Sequence, residues 1–171
     1  MHVHILMHPK ELDVSKNTGK LAALCLKSCT IHLGEKESDF TELKKQLTSQ
    51  IQQTCILYPS EDATPIEKLS NKSHDIKNLI VLDATWKKAF KMLQLNPWLN
   101  QFNKLTFSQT TKSQYTIRKA NREDSLSTLE AIALSLESLE QVNTQPLYQC
   151  LKAMIDGQLA NMPEHVKNRY K

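Results

Sequence analysis

One aspartate stands directly after the most apolar stretch of the chain. Residues 78–82 read Asn-Leu-Ile-Val-Leu, and Asp83-Ala84-Thr85-Trp86 follow at once. A strand that is apolar on both faces has the pattern of a central parallel strand, and the carboxyl ends of such strands are where open α/β sheets hold ligands. A carboxylate there has two readings. It caps the next helix through a backbone N–H, or it takes a proton from a bound substrate as a general base; capping does not exclude catalysis. Trp86, three residues on, is either core or a platform facing the strand ends. Lys87, Lys88 and Lys91 share another face of the same helix, at i, i+1 and i+4, and form either a solvated face or a set of phosphate contacts. Arg118, Lys119 and Arg122 follow a further apolar run, with Tyr115 nearby. Two basic clusters near strand ends suit a nucleic-acid backbone.

The motifs that are missing narrow the field. There is no GxGxxG and no GxxxxGK[ST], so neither a dinucleotide site nor a P-loop is readable. Only three glycines occur in 171 residues, too few to build a glycine-lined phosphate cradle. HExxH and the nucleophile elbow are also lacking. His2, His4 and His8 lie in or beside the first apolar run, where alternating histidines read as packing or surface, and no metal site is expected. Cys25, Cys29, Cys55 and Cys150 show no CxxC spacing and read as reduced core residues. With 22 Lys+Arg against 18 Asp+Glu, the formal charge is +4, which is compatible with a polyanionic partner. No segment approaches the ~20 apolar residues of a membrane span, and the N-terminus lacks the basic and small-residue signals of a secretory leader. A cytoplasmic address and no membrane partner are the expectations.

The elements that must position these residues follow from periodicity. Residues 3–7 read as a first strand, and Asn17-Thr18-Gly19 leads into a helical pattern through Leu21, Leu24 and Cys25. Residues 30–33 form a short second strand closed by Gly34. Asp39 is placed to cap a helix whose apolar face is Phe40, Leu43, Leu47 and Ile51. Residues 54–58 are a third strand ended by Pro59-Ser60. The strand at 78–82 then runs into a helix ending near Asn96-Pro97. Residues 104–107 and 114–117 look like two further strands. Ser127 with Glu130 three residues on is a capping box that opens a helix through Leu139, and Pro146 suits the first turn of a last helix reaching Leu159. Strands alternating with helices predict an α/β sandwich around a largely parallel sheet. No linker or repeat interrupts it, so a single domain over residues 1–171 is expected.

Taken together, the motifs form a recognisable series. His8-Pro9-x-Glu11, Asn17-Thr18-Gly19-Lys20-Leu21 and Leu57-Tyr58-Pro59-Ser60 come first. Leu82-Asp83-Ala84-Thr85-Trp86-Lys87-Lys88-Ala89 and Asn96-Pro97-x-Leu99 follow, then Tyr115-x-Ile117-Arg118-Lys119-Ala120 and Leu126-Ser127-Thr128-Leu129-Glu130-Ala131. The series resembles the DTW-domain family over roughly residues 8–158. Asp-x-Thr-Trp alone is a weak match, but seven motifs in order are specific. Three departures stand out. The N-terminal Cys cluster of many relatives is absent here, Ala84 stands where Gly is common, and Gln101-Phe102-Asn103 occupy a stretch that often carries Pro.

The resemblance implies a tRNA-uridine aminocarboxypropyltransferase with a SPOUT-like parallel-sheet sandwich and a C-terminal trefoil knot. It implies transfer of the 3-amino-3-carboxypropyl group of S-adenosylmethionine to N3 of a uridine in tRNA, releasing 5′-methylthioadenosine. By the same resemblance, Trp86 packs near the sulfonium of the cofactor and Thr18 reaches the carboxylate of the transferred arm. Leu57, Tyr58, Pro59, Ser60, Leu82, Arg118, Lys119, Ala120, Leu126, Ser127 and Thr128 frame adenine and ribose. Asp83 becomes the candidate general base, or the group that orients the uracil edge. Lys87, Lys88, Lys91, Arg118 and Arg122 become the candidate RNA contacts. Two alternatives compete with this reading: a SPOUT-type RNA methyltransferase using the same pocket, and a non-catalytic RNA-binding module in which Asp83 only caps a helix.

Overall fold

The side-chain parity of the strands decides which face of the sheet each functional residue occupies. In a strand, alternate residues point to opposite faces. Val3, Ile5 and Met7 of strand β1 (His2–Met7), with Leu79 and Val81 of β5 (Asn78–Asp83), belong to one core cluster, whereas Leu6 and Ile80 belong to a second on the other face. Asp83 shares the parity of Leu79 and Val81, so its carboxylate emerges on the first face.

The computed structural model describes residues 1–69, 75–108, 113–115 and 126–167. Its remaining strands are β2 (Cys29–Leu33), β3 (Thr54–Leu57), β4 (Thr64–Pro65) and β6 (Asn103–Thr106). The six strands form one sheet in the order β2-β1-β5-β3-β6-β4, with every pairing parallel. Met7 lies level with Asp83, and Leu57 lies level with Val81. The chain leaves β1 outward to β2, then crosses to β3 on the far side of β5. The carboxyl end of β5 therefore sits where the winding changes direction, the place where a crevice opens.

Helices cover both faces. Helices α1 (Thr18–Cys25), α4 (Thr128–Glu140) and α5 (Gln145–Ala160) pack on the face that carries Asp83. On the other face, α2 (Thr41–Thr48), α3 (Trp86–Leu95) and a 3-10 turn at Pro97–Gln101 supply Leu43, Leu47, Met92, Trp98 and Leu99 to the second cluster. A short helix α6 (Glu164–Lys167) ends the described chain. Each fully buried Leu or Ile contributes roughly 1.5–3 kcal/mol, whereas an exposed ion pair contributes about 1 kcal/mol or less. The layers are held by the apolar contacts.

The expected elements differ in detail. Asp39 does not cap α2. Its carboxylate turns back to accept the backbone N–H groups of Glu35 and Lys36 at 2.9 and 3.0 Å, which closes the turn after Gly34 and holds Asp39 below the usual carboxylate range. Helix α2 ends at Thr48, and Ile51 begins a separate 3-10 turn at Ile51–Gln53. Residues 113–115 are not strand: Tyr115 is buried instead, and its hydroxyl donates to the carbonyl of Lys16 at 2.8 Å. The rest of that expected strand lies outside the described residues. The two-residue strand β4 was not readable from periodicity. Among the described residues no helix is long and apolar enough to cross a membrane.

Candidate active site

The site is built around Asp83, which is only 6% exposed. Its Oδ2 accepts a hydrogen bond from the side-chain amide of Asn17 at 2.7 Å, and its Oδ1 accepts one from the Thr128 hydroxyl at 2.6 Å. Asn17 is the N-cap of α1, and Thr128 is the first residue of α4. The carboxylate thus ties two helix starts to the end of the central strand. Helix N-termini carry partial positive charge, which suits a carboxylate between them. Helix α3, the one that follows Asp83 in sequence, has Thr85 as its N-cap with no side-chain cap bond. Asp83 therefore does not cap that helix; the strand parity turns it to the opposite face.

Both supporting residues are fixed in turn. Asn17 Oδ1 accepts from the Lys20 N–H at 2.7 Å, so capping α1 orients the amide group that reaches Asp83. Gly19 lies against the same carboxylate: a Cβ there would stand 2.7 Å from Asp83 Oδ2 and 2.9 Å from its Cγ. At the other helix, Ser127 Oγ accepts from the Glu130 N–H at 3.3 Å and Glu130 Oε2 accepts from the Ser127 N–H at 2.8 Å, the reciprocal capping expected from the sequence. Glu130, only 1% exposed, also accepts from the Ser113 hydroxyl at 2.7 Å and the Gln114 N–H at 2.6 Å. It anchors the segment that leads toward Arg118.

On the α3 side, Trp86 begins the helix and is 48% exposed, so it is not core. Its indole meets the ring of Tyr58 edge-on, with centroids 6.4 Å apart at 65°. Tyr58 follows β3, where its N–H donates to the Leu105 carbonyl at 2.9 Å, and burial pushes its phenol up from the ordinary value. Pro59 is exposed, and Leu57, Ser60 and Leu82 are half-buried beside it along the strand ends. The Ser60 hydroxyl is near enough to the Asp62 carboxylate, with Lys104, to hold that group below its usual range. That approach falls short of a hydrogen bond, so among the described residues Ser60 Oγ is buried without a partner.

Of the expected site residues, Asp83, Ser127 and Thr128 meet around the strand end, with Leu126 half-buried just before them. Thr18 is buried at the first position of α1, beside Asn17. Arg118, Lys119, Ala120 and Arg122 lie outside the described residues. The lysines of α3 divide: Lys88 pairs with Glu11 at 2.8 Å and Lys91 with Glu35 at 2.8 Å, while Lys87 is exposed and makes no ion pair among the described residues. Sequence reasoning missed the roles of Asn17 and Gly19, and the bonds of Glu130 beyond its capping box. The signal for the first two was Asn-x-Gly at a helix start, a pairing that caps a helix and leaves room above its first turn.

Comparison with known proteins bears on what this arrangement is for. Residues 1–159 match the DTW domain. The chain is 31% identical over 163 residues to a Mus musculus protein named tRNA-uridine aminocarboxypropyltransferase 2, covering 92% of this chain and 55% of the relative. A Drosophila melanogaster protein of the same name is 30% identical over 164 residues, covering 90% of this chain and 64% of the relative. The chain thus spans between about half and two thirds of the length of the curated relatives it matches. No solved structure matches it significantly.

Proposed function

The chain belongs to the DTW-domain family, and on that premise we propose that it transfers the 3-amino-3-carboxypropyl group of S-adenosylmethionine to N3 of an unpaired uridine in tRNA, releasing 5′-methylthioadenosine. The observation that carries the proposal is the convergence of Asn17, Gly19 and Thr128 on the Asp83 carboxylate at the end of β5, in the order of motifs the family shares. We further propose one domain over residues 1–171, a SPOUT-like sandwich closed by a C-terminal trefoil knot, and a cytoplasmic address. The all-parallel sheet with helices on both faces is in keeping with that fold, and the four free cysteines with a reducing compartment.

The residues fit the cofactor. The buried Ser60 hydroxyl, without a partner among the described residues, gives the loop after β3 a polar group to offer ribose or adenine. The half-exposed Trp86 indole, edge-on to Tyr58, offers an aromatic face of the kind that attracts a ligand cation. When bound, S-adenosylmethionine supplies an electrophilic carbon next to a sulfonium. Trp86 would then sit against that sulfonium, Thr18 would hold the carboxylate of the arm, and residues 57–60, Leu82, Arg118, Lys119, Ala120 and 126–128 would frame the nucleoside.

Three carbons adjoin the sulfonium, and orientation decides which one reacts; positioning can contribute on the order of 7–11 kcal/mol of barrier. Uridine N3 is protonated and poorly nucleophilic at neutral pH. Asp83 accepts that proton, or fixes the uracil edge by accepting its hydrogen bond, as N3 attacks. Asn17 and Thr128 fix the Asp83 rotamer, and each carboxylate oxygen has two lone pairs. Because N3 lies on the Watson–Crick edge, the target is an unpaired or flipped base. Lys87, the α3 lysine with no ion pair among the described residues, would contact phosphates together with Arg118 and Arg122. Mass spectrometry of nucleosides from tRNA incubated with the protein and S-adenosylmethionine tests this: the proposal requires a uridine heavier by the aminocarboxypropyl group, and unmodified tRNA contradicts it.

A further inference from the structure

Helix α3 presents its side chains in three strips. Ala89, Met92 and Leu93 are buried against the sheet. On one shoulder, Lys88 and Lys91 reach Glu11 and Glu35, which follow β1 and β2. On the opposite shoulder stand Trp86 and, one turn on, Phe90, which is 57% exposed. At i and i+4 these two rings are neighbours on the helix surface, about 6 Å apart along the axis. The Trp86 end of this shoulder contacts Tyr58 beside β3. Lys87 lies between the shoulders, next in sequence to Trp86 and three residues before Phe90.

An exposed phenylalanine beside an exposed tryptophan forgoes the roughly 1.5–3 kcal/mol that burying the ring would contribute. The neighbouring charge argues for the occupant: a cationic side chain beside an aromatic face that the cofactor does not use is the surface that stacks a base while holding the adjoining phosphate. We propose that Phe90 is a stacking platform for an unpaired RNA base flanking the target uridine, with Lys87 on the intervening phosphate. The inference rests on the RNA-substrate reading above and adds to it a residue that selects single-stranded over paired substrate. Duplex bases are already stacked on one another and cannot spread onto the ring.

The test is a fluorescence-anisotropy titration of the full chain with a short labelled oligouridylate, beside a blunt RNA duplex of equal length. Phe90→Ala is expected to weaken oligouridylate binding about 5- to 150-fold, the size of one base–aromatic stack. Phe90→Tyr, which keeps a ring, restores it. Duplex binding and S-adenosylmethionine affinity stay as in the wild type. If wild type and Phe90→Ala bind oligouridylate equally, the role of Phe90 is overturned while the RNA reading stands. If the wild type binds neither oligouridylate nor tRNA, both fall. If sedimentation shows that Phe90→Ala dissociates a dimer, the patch is a contact between copies and the proposal is wrong.

Discussion

Gly19 lies so close beneath Asp83 that a single added methyl group would stand 2.7 Å from the carboxylate oxygen. That oxygen is not at the end of a free side chain. It accepts from Asn17, and its twin accepts from Thr128, so it cannot swing aside without breaking a buried bond. Alanine is normally better than glycine inside a helix by roughly 0.5–1 kcal/mol. Here the overpacking cost, typically about 1–3 kcal/mol, outweighs that gain. Gly19→Ala is expected to lower the midpoint of urea unfolding and to reduce activity. A raised midpoint would mean that the carboxylate moves freely.

Asp83→Asn separates position from chemistry. The asparagine can accept from Asn17 through its oxygen and donate from its amide to the Thr128 hydroxyl, which accepts as readily as it donates. The fold and S-adenosylmethionine affinity should persist, while single-turnover transfer falls by about 10²–10⁴-fold, the usual worth of a positioned base. Full activity in the variant would remove Asp83 from the chemistry.

Trp86→Ala should leave the protein folded, because the indole is half-exposed and its edge contact to Tyr58 is worth only about 0.5–1.5 kcal/mol. Its effect belongs to the cofactor. Loss of an aromatic face from a sulfonium corresponds to about 0.5–2 kcal/mol, or an S-adenosylmethionine affinity weaker by about 2- to 30-fold. Calorimetry decides it: unchanged affinity places the sulfonium elsewhere.

How far the sequence carries depends on whether an interaction is local. The apolar run before Asp83 and the Ser127–Glu130 capping box are contained in short windows, and each appears where the sequence placed it. By contrast, residues 113–115, at the start of the strand expected at 114–117, are not strand. The bonds from Asn17 and Thr128 to Asp83 join residues 66 and 45 positions apart, and no window spans them. A further consequence is that Asp83 could be read as a cap for α3 until strand parity turned it to the other face. Glu130 was legible as a helix cap, but not as the acceptor for Ser113 and Gln114. Lys88 and Lys91 looked like one basic surface with Lys87, because their partners Glu11 and Glu35 arrive from strand ends far away in sequence.

A pH dependence follows from the first strand. His4 is buried between β2 and β5, with Nδ1 3.2 Å from His32 Nε2 and Nε2 3.3 Å from Asn78 Oδ1. Burial is the largest influence and lowers its pKa to about 4; the Asn78 bond opposes this, and the neighbouring His2 and His32 add to the lowering. The unfolded chain, with an ordinary imidazole near 6.5, binds more protons between those values than the folded one does. Stability contributed by neutral His4 is therefore complete above about pH 6.5 and is lost as the pH falls toward 4. Urea midpoints measured across that window should decline, and His4→Gln should flatten the decline. An equal slope in both proteins would show that His4 does not titrate on unfolding.

The small-molecule product reports directly which carbon beside the sulfonium is attacked. Attack on the aminocarboxypropyl carbon releases 5′-methylthioadenosine, whereas methyl transfer releases S-adenosylhomocysteine. Both routes use one cofactor and one pocket, so affinities cannot separate them. Chromatography of the small-molecule fraction after reaction with tRNA should yield methylthioadenosine in step with a uridine that has gained the aminocarboxypropyl mass. S-adenosylhomocysteine accompanied by a methylated nucleoside would contradict the account and make the protein a methyltransferase.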